Sequence, residues 1–544
     1  MVGEHNGDEG ISRSGSPELT RLLGWLAAAA IVVSTLIIIA ISAAGPNVSV
    51  PALRRAAGSP PWWHALHLTA TFVTVSLWAA MVLGGAGVIA GLVAVARGAR
   101  PPVRAVIAGA FLAIAVVTVL PPAGSTDAIS YAANGRMAVI GRSPYVMTPL
   151  QLKRSGDPIG RQIPFIQIPS TWTTTVSVYG PVATGAEWAA AELGGSSLAR
   201  ITFWLKLEAA LAFGAVILVL DRLLRADPAQ RLRAHLLWSV NPLLLWEIVA
   251  SGHIDGLAAL FGLLGVAVLR IRPSQSSGQS SSGQSSEPGR GQIGLRDAVL
   301  AGLAIGVATG IKAEYALFGL AVAWACRRSV KPLAAAAAGF VLVVVPAYLA
   351  AGTPAIKILL TRSPGITWDT MYQLFWRPVL GYTQFSVTSR PPHLELVAYL
   401  LFAAVAVLAV LRFPDPVPHL PAVTPALALS LAWLFVTAFQ RPWYDVMAIS
   451  LLALYSASRL DWVVLIRLVA GATVYVQAVQ SPFQPHWLAN LGQFDGAWLT
   501  PGVRLLATVA LVWLCLSGRW GWRSPSDPDS HALWITPNTI AQDA

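Results

Sequence analysis

The sequence predicts an all-α polytopic membrane protein, a bundle of about 13–14 transmembrane helices with two long extracytoplasmic loops carrying surface helices. Three observations predict the membrane class. Of 544 residues, 55% are hydrophobic and 11% charged, against about 25% charged in soluble domains. The apolar residues fall in blocks, many close to the ~20 residues a helix needs to cross a bilayer. The basic residues gather in alternate short loops, as the positive-inside rule requires. Together these exclude a soluble enzyme, a disordered chain and a fibrous protein. The net charge of +12 would suggest nucleic acid in a soluble protein. Here much of the excess sits in loops beside spans, so no nucleic-acid partner is expected. Cys326 and Cys515 lie in or beside apolar blocks and imply neither a disulfide framework nor a Cys-based metal site.

The elements follow in order. Residues 1–21 are polar and read as a disordered cytoplasmic tail. Leu22–Ala44 is longer than a signal peptide's apolar core and reads as an uncleaved anchor. It opens one membrane bundle spanning 22–518. Further spans are expected at Leu66–Ala96, Val103–Leu120, Leu198–Leu220, Leu236–Ala250, Leu257–Leu269, Ala298–Ile311 and Tyr315–Ala325. The last group is Pro332–Ala351, Leu394–Leu411, Ala422–Phe439, Trp443–Leu454, Trp462–Val479 and Val503–Leu516. Several are short for a full crossing, which suits interrupted or re-entrant helices. Residues 274–292 repeat SSGQSS and form a flexible cytoplasmic linker; 519–544 form a cytoplasmic tail.

Orientation comes from Arg97, Arg100 and Arg104 in one loop, Arg222 to Arg233 in a second, Arg270 to Arg296 around a third, and Arg327, Arg328 and Lys331 in a fourth. With the N-terminus cytoplasmic, the long segments 121–197 and 352–393 both fall outside. They far exceed the usual loop of about 4–6 residues, and loops of that length are usually functional. The functional face is therefore extracytoplasmic, in the plasma membrane, where ATP and nucleotide sugars are absent. No Walker or dinucleotide motif contradicts this.

The first long loop opens with Asp127, just past a span. It reads either as a helix N-cap or as a general base facing a cavity. Ile129, Ala132, Ala133, Met137 and Ile140 suggest an amphipathic helix lying on the membrane, with Ser125 or Thr126 as its cap. Arg136 and Arg142 on the same segment read as headgroup anchors or phosphate ligands. Trp172 and Tyr179 offer sugar-stacking faces or an interfacial aromatic belt. After the helix-breaking Asn241-Pro242, the residues Glu247, His253 and Asp255 cluster at the outer end of a short span. A divalent metal is conceivable there, but a hydrogen-bonded positioning network explains the same residues, so no cofactor or metal is expected. Lys312 and Glu314 end a glycine-rich span, as a salt bridge or a lipid-phosphate site. Arg441, Trp443 and Tyr444 form a tight outer turn, Arg441 suiting a phosphate or sugar.

The order of these motifs resembles the GT-C class of integral-membrane glycosyltransferases, and most closely the actinobacterial polyprenyl-phosphomannose-dependent α-1,6-mannosyltransferases of lipomannan and related glycan synthesis. The resemblance rests on Asp127 with Ser130-Tyr131, Gly135-Arg136, Ser143-Pro144-Tyr145, Tyr179-Gly180-Pro181, Asn241-Pro242 with His253 and Asp255, Gly306 to Lys312, and Arg441-Pro442-Trp443-Tyr444. One departure is His253-Ile254-Asp255, where the family pattern would show His-Asn-Asp. The resemblance implies inverting transfer of a sugar, mannose, from a polyprenyl-phosphate donor to a cell-envelope glycan or glycolipid acceptor at the membrane lipid surface. Asp127 would be the base. Arg136, Lys312 and Arg441 would bind the donor phosphate. Tyr131, Tyr145, Tyr179, His253, Asp255, Trp443 and Tyr444 would line the sugar and acceptor. A pentosyl (arabinofuranosyl) transferase of the same class, or a glycolipid transporter or flippase, stands as the alternative.

Overall fold

The computed structural model describes residues 17–53, 66–164, 172–272, 292–361, 367, 369–375, 392–415, 417, 419–476 and 481–521. Nearly all of the ordered secondary structure is helical. The first helices are α1 (Pro17–Ala43), α2 (Ala70–Ala96) and α3 (Val103–Val119), followed by α4 (Asp127–Val139). Two short helices, α5 (Pro149–Arg154) and α6 (Pro158–Gln162), each start on a proline, whose missing N–H is harmless at a first helical position. They lead to α7 (Pro181–Gly194) and α8 (Leu198–Leu223). On α8, Leu211 and Leu218 are both exposed and seven residues apart, a stripe suited to lipid rather than water.

Among the described residues, five helices have the length and apolarity to cross a bilayer: α1, α2, α8, Val330–Ala351 and His486–Ser517. A bent pair, Pro228–Ala250 with Asp255–Val268, makes a sixth if taken as one span. The count expected from apolar blocks was larger. The blocks are helical, and shorter apolar helices of 10–17 residues, α3 among them, lie alongside these longer ones. The bend of 116° falls at residues 251–254 and carries the predicted His253 turn. Asn241 accepts a bond from the Leu243 amide and Pro242 restarts the helix, so the sequence break is a structural break. A π-helical turn, Leu245–Ala250, then precedes the bend; such bulges recur at functional sites.

Two expectations are corrected. The apolar face of the helix after Asp127 is turned to protein rather than to lipid. Ala128, Ala132, Ala133 and Met137 are fully buried, and α4 packs between α7 and α8. Its small side chains allow that close approach, and amphipathicity alone could not distinguish a protein neighbour from a lipid one. Asp127 is not the cap either: Thr126 holds that position and Asp127 is the first helical residue. Most of the 274–292 linker lies outside the described residues. The chain on either side of it forms a two-residue antiparallel ladder, Ile271 opposite Ile293 and Arg272 opposite Gln292. Much of 376–393 and residues 522–544 of the C-terminal tail are likewise outside the described residues.

Candidate active site

The Asp127 carboxylate is buried at the start of α4, and its own amide bonds to Ser125 Oγ at 3.1 Å. Its Oδ2 lies 3.5 Å from His253 Nε2. The other ring nitrogen, Nδ1, donates to the Glu247 carbonyl. Each nitrogen therefore faces an oxygen, which fixes the ring's plane and aims Nε2 at Asp127. Gly252, at φ +69°, supplies the left-handed residue that turns the chain into His253. Trp443 stacks on the imidazole at 3.8 Å between ring centres, so two distant chain segments hold one ring. Burial by itself would raise the Asp127 pKa; the His253 contact, the Arg441 charge and Ser125 outweigh it and hold the group below the ordinary carboxylate range. The carboxylate is thus ionised and able to accept a proton.

A second cluster sits alongside. Lys312 Nζ lies 2.6 Å from Asp255 Oδ1 and 3.8 Å from Glu314 Oε1, and rests 3.6 Å above the Tyr444 ring centre. Two carboxylates thus compensate one ammonium. Tyr131 and Tyr179 share a hydrogen bond of 2.9 Å between their hydroxyls, with edge-to-face rings. Burial, reinforced by Asp127 and Asp255, raises both phenols well above their ordinary pKa and keeps them protonated. Tyr179 is seated by Gly180, whose amide donates to the Ile311 carbonyl at 3.0 Å. A Cβ on Gly180 would run into the Gly310 carbonyl, so only glycine permits this approach. Tyr145 stands apart, bonding Thr184 Oγ1 at 2.8 Å.

Arg441 is the cation of the site with no carboxylate in ion-pair contact among the described residues. It lies between the rings of Phe439 and Tyr475, 4.9 and 5.4 Å from their centres, and its buried Nε has no hydrogen-bond partner. Glu247 Oε1, Asp255 Oδ2, His253 Nε2 and Trp443 Nε1 are also buried without one. Buried polar atoms are ordinarily paired, so this concentration of unmet donors and acceptors singles out these side chains as candidates for polar contacts to a substrate. Among the described residues no three His, Cys, Asp or Glu side chains gather as metal ligands.

Arg136 is engaged elsewhere. Its guanidinium pairs with Asp157 at 2.9 Å, and Asp157 also caps α6 through the Ile159 and Gly160 amides. Three buried groups escaped sequence reasoning. Arg467 pairs with Asp445 and bonds Gln440 Oε1 at 2.9 Å; Arg504 pairs with Asp369 at 2.8 Å. The latter contact docks the second long loop beside the Arg441 turn, where Thr367 bonds Ala438 and Gln440. The third is Lys206, in the middle of α8. Arginines and a lysine inside otherwise apolar blocks were the available signal.

The family described as alpha-(1->6)-mannopyranosyltransferase, N-terminal domain, matches residues 21–328. A Mycolicibacterium smegmatis protein named a probable alpha-(1->6)-mannopyranosyltransferase is 27% identical over 147 residues. That match covers 27% of this chain and 25% of the relative, so the chain spans about a quarter of the relative's length. The family match takes in α1 to α8, Asp127, His253, Asp255 and Lys312, which is more than half of the 544 residues. The chain belongs to the alpha-(1->6)-mannopyranosyltransferase family.

Proposed function

We propose that this protein is a membrane mannosyltransferase that moves mannose from a polyprenyl-phosphate donor to a hydroxyl of a cell-envelope glycan or glycolipid on the extracytoplasmic face of the plasma membrane. The observation that carries the reading is the buried Asp127–His253 pair near Arg441, whose charge acts on Asp127. Asp127 takes the acceptor hydroxyl proton as that oxygen attacks the anomeric carbon. The bond from that carbon to the phosphate oxygen breaks, and its electron pair leaves with the lipid phosphate. A single displacement inverts the configuration and requires one base, unlike the paired carboxylates of glycosidases. Arg441 receives the growing phosphate charge, with Lys312 as a second positive group tempered by Asp255 and Glu314. Asp255 Oδ2 and Glu247 Oε1, both unmet, suit sugar hydroxyls. The half-buried Tyr179 ring suits a pyranose face, while Lys312 covers one face of Tyr444 and His253 one face of Trp443. Purified protein given polyprenyl-phosphate mannose and, separately, the arabinofuranosyl donor should extend glycan with the first. Extension only with the second would reassign the sugar.

Two expected results belong here. Arg136→Ala should leave the donor KM within about twofold and stability within about 1 kcal/mol, because a part-exposed ion pair contributes little. A tenfold rise in donor KM would return Arg136 to the phosphate site. For sidedness, single cysteines are placed at Ser155, exposed between α5 and α6, and at Ala226, exposed after α8. The native Cys326 and Cys515 are buried and give little background. An impermeant thiol reagent on intact spheroplasts should label the first and spare the second. The reverse pattern would move the site to the cytoplasmic face.

A further inference from the structure

The two halves of the catalytic pair come from separate segments, Asp127 after α3 and His253 in the bend after Leu245–Ala250. Something must hold those segments in register, and the segment between α3 and Asp127 has no regular structure of its own. Lys206, fully buried on α8, reaches it. Its Nζ donates to the carbonyls of Val117, Leu120 and Pro121 at 2.7, 2.6 and 3.1 Å. An ammonium has three N–H donors, and three carbonyls meet them. Val117 and Leu120 are the last turn and cap of α3, where carbonyls are short of partners and a positive charge is favoured, although the Leu120 amide also bonds Val117. The stem of the same side chain runs beside Gly252: a Cβ there would sit 3.2 Å from Lys206 Cγ and 3.4 Å from the Ala128 Cβ. Lys206 therefore touches the chain on both sides of the pair. Ser251 adds a second tie, its Oγ donating to the Ala123 carbonyl at 2.8 Å, while the Ala123 amide bonds Ala250 at 2.9 Å. No contact of Lys206 with a substrate is needed for any of this.

We propose that Lys206, with Ser251, is a positioning brace that sets the distance between Asp127 and His253. This rests on the assignment of Asp127 as the base. Misplacing a catalytic group by about 1 Å can lower rates about 10²-fold, so a brace of this kind acts on kcat and leaves donor binding at Arg441 unaffected.

Lys206→Met keeps the stem and removes the donors. It should lower kcat by about 10–100-fold with the KM for lipid donor within about twofold, and Lys206→Arg should recover part of the loss. Thermal stability in detergent is followed for each variant. The deciding measurement repeats Lys206→Met in an Asp127→Asn background. If the brace acts through Asp127, the residual rate there should change by no more than about twofold, because coupled sites are non-additive. An equal proportional loss in both backgrounds would show a general structural role and overturn the proposal, as would a near-normal kcat in Lys206→Met. Should Lys206→Met fail to fold, Ser251→Ala removes one tie from the same segment. It should lower kcat several-fold, again only when Asp127 is present, and a normal kcat there would overturn the brace. A slow Asp127→Asn beside a normal Lys206→Met rejects the brace alone. A normal Asp127→Asn rejects the base assignment, and the brace with it.

Discussion

Asp127→Asn is expected to bind donor lipid normally and to transfer sugar at least about 10²-fold more slowly, the lower end of what general-base catalysis is worth. The substitution isolates basicity. Asparagine has nearly the same shape, and the helix start does not depend on the carboxylate: Thr126 holds the cap position, and the Asp127 backbone is bonded to Ser125. What is lost is an ionised oxygen 3.5 Å from His253 in a buried site. Turnover, donor binding and melting temperature are measured on the same preparation. Asp255→Asn is the comparison, since Asp255 is another buried acid of the site and is tied to Lys312. If Asp127→Asn turns over normally while Asp255→Asn is inactive, the base is Asp255. If both turn over normally, the single-base mechanism fails.

Arg441→Met should lower kcat/KM for the lipid donor by about 30-fold or more, since losing one partner of a buried charge pair costs about 2–5 kcal/mol. The side chain is half-buried against the Phe439 and Tyr475 rings, and its buried Nε has no acceptor. A second signature comes from pH. The Arg441 charge is one of the influences that hold the Asp127 pKa down. A depressed carboxylate stays charged, and active, until the pH falls through its lowered pKa. In the parent protein the acidic limb of kcat/KM should therefore lie below the ordinary carboxylate value of about 3.9. With the guanidinium gone, that pKa rises and the limb moves to higher pH. An unchanged kcat/KM and an unmoved limb would remove Arg441 from the donor site.

The sequence revealed most of the fold because burying a helix in lipid demands long apolar runs, which are visible without partners. Helix crossings were less legible, since α3 and the blocks around residues 295–326 are apolar yet short or broken. Asp127, His253, Asp255, Lys312, Arg441, Trp443 and Tyr444 stood out as polar or aromatic groups at span ends, and the fold brings them together. Arg136 stood out equally and is brought to Asp157 instead, because local sequence does not reveal which acid a loop will fold back. Lys206 was read through as part of a span. Its partners are backbone carbonyls, which leave no trace in residue type. Arg504 and Asp369 are 135 positions apart, and nothing in either neighbourhood announces the other.

The small ladder of Ile271–Arg272 with Gln292–Ile293 has an evolutionary consequence. It pins both ends of the Ser- and Gln-rich stretch at one place, so the spans on either side keep their relation whatever length of chain runs between. Doubling a flexible loop adds only about 0.6 kcal/mol of closure entropy. Repeats such as SSGQSS can therefore be gained or lost by replication slippage with little selective penalty, and this stretch should drift in length among close relatives while the residues of the two strands hold their spacing to the helices.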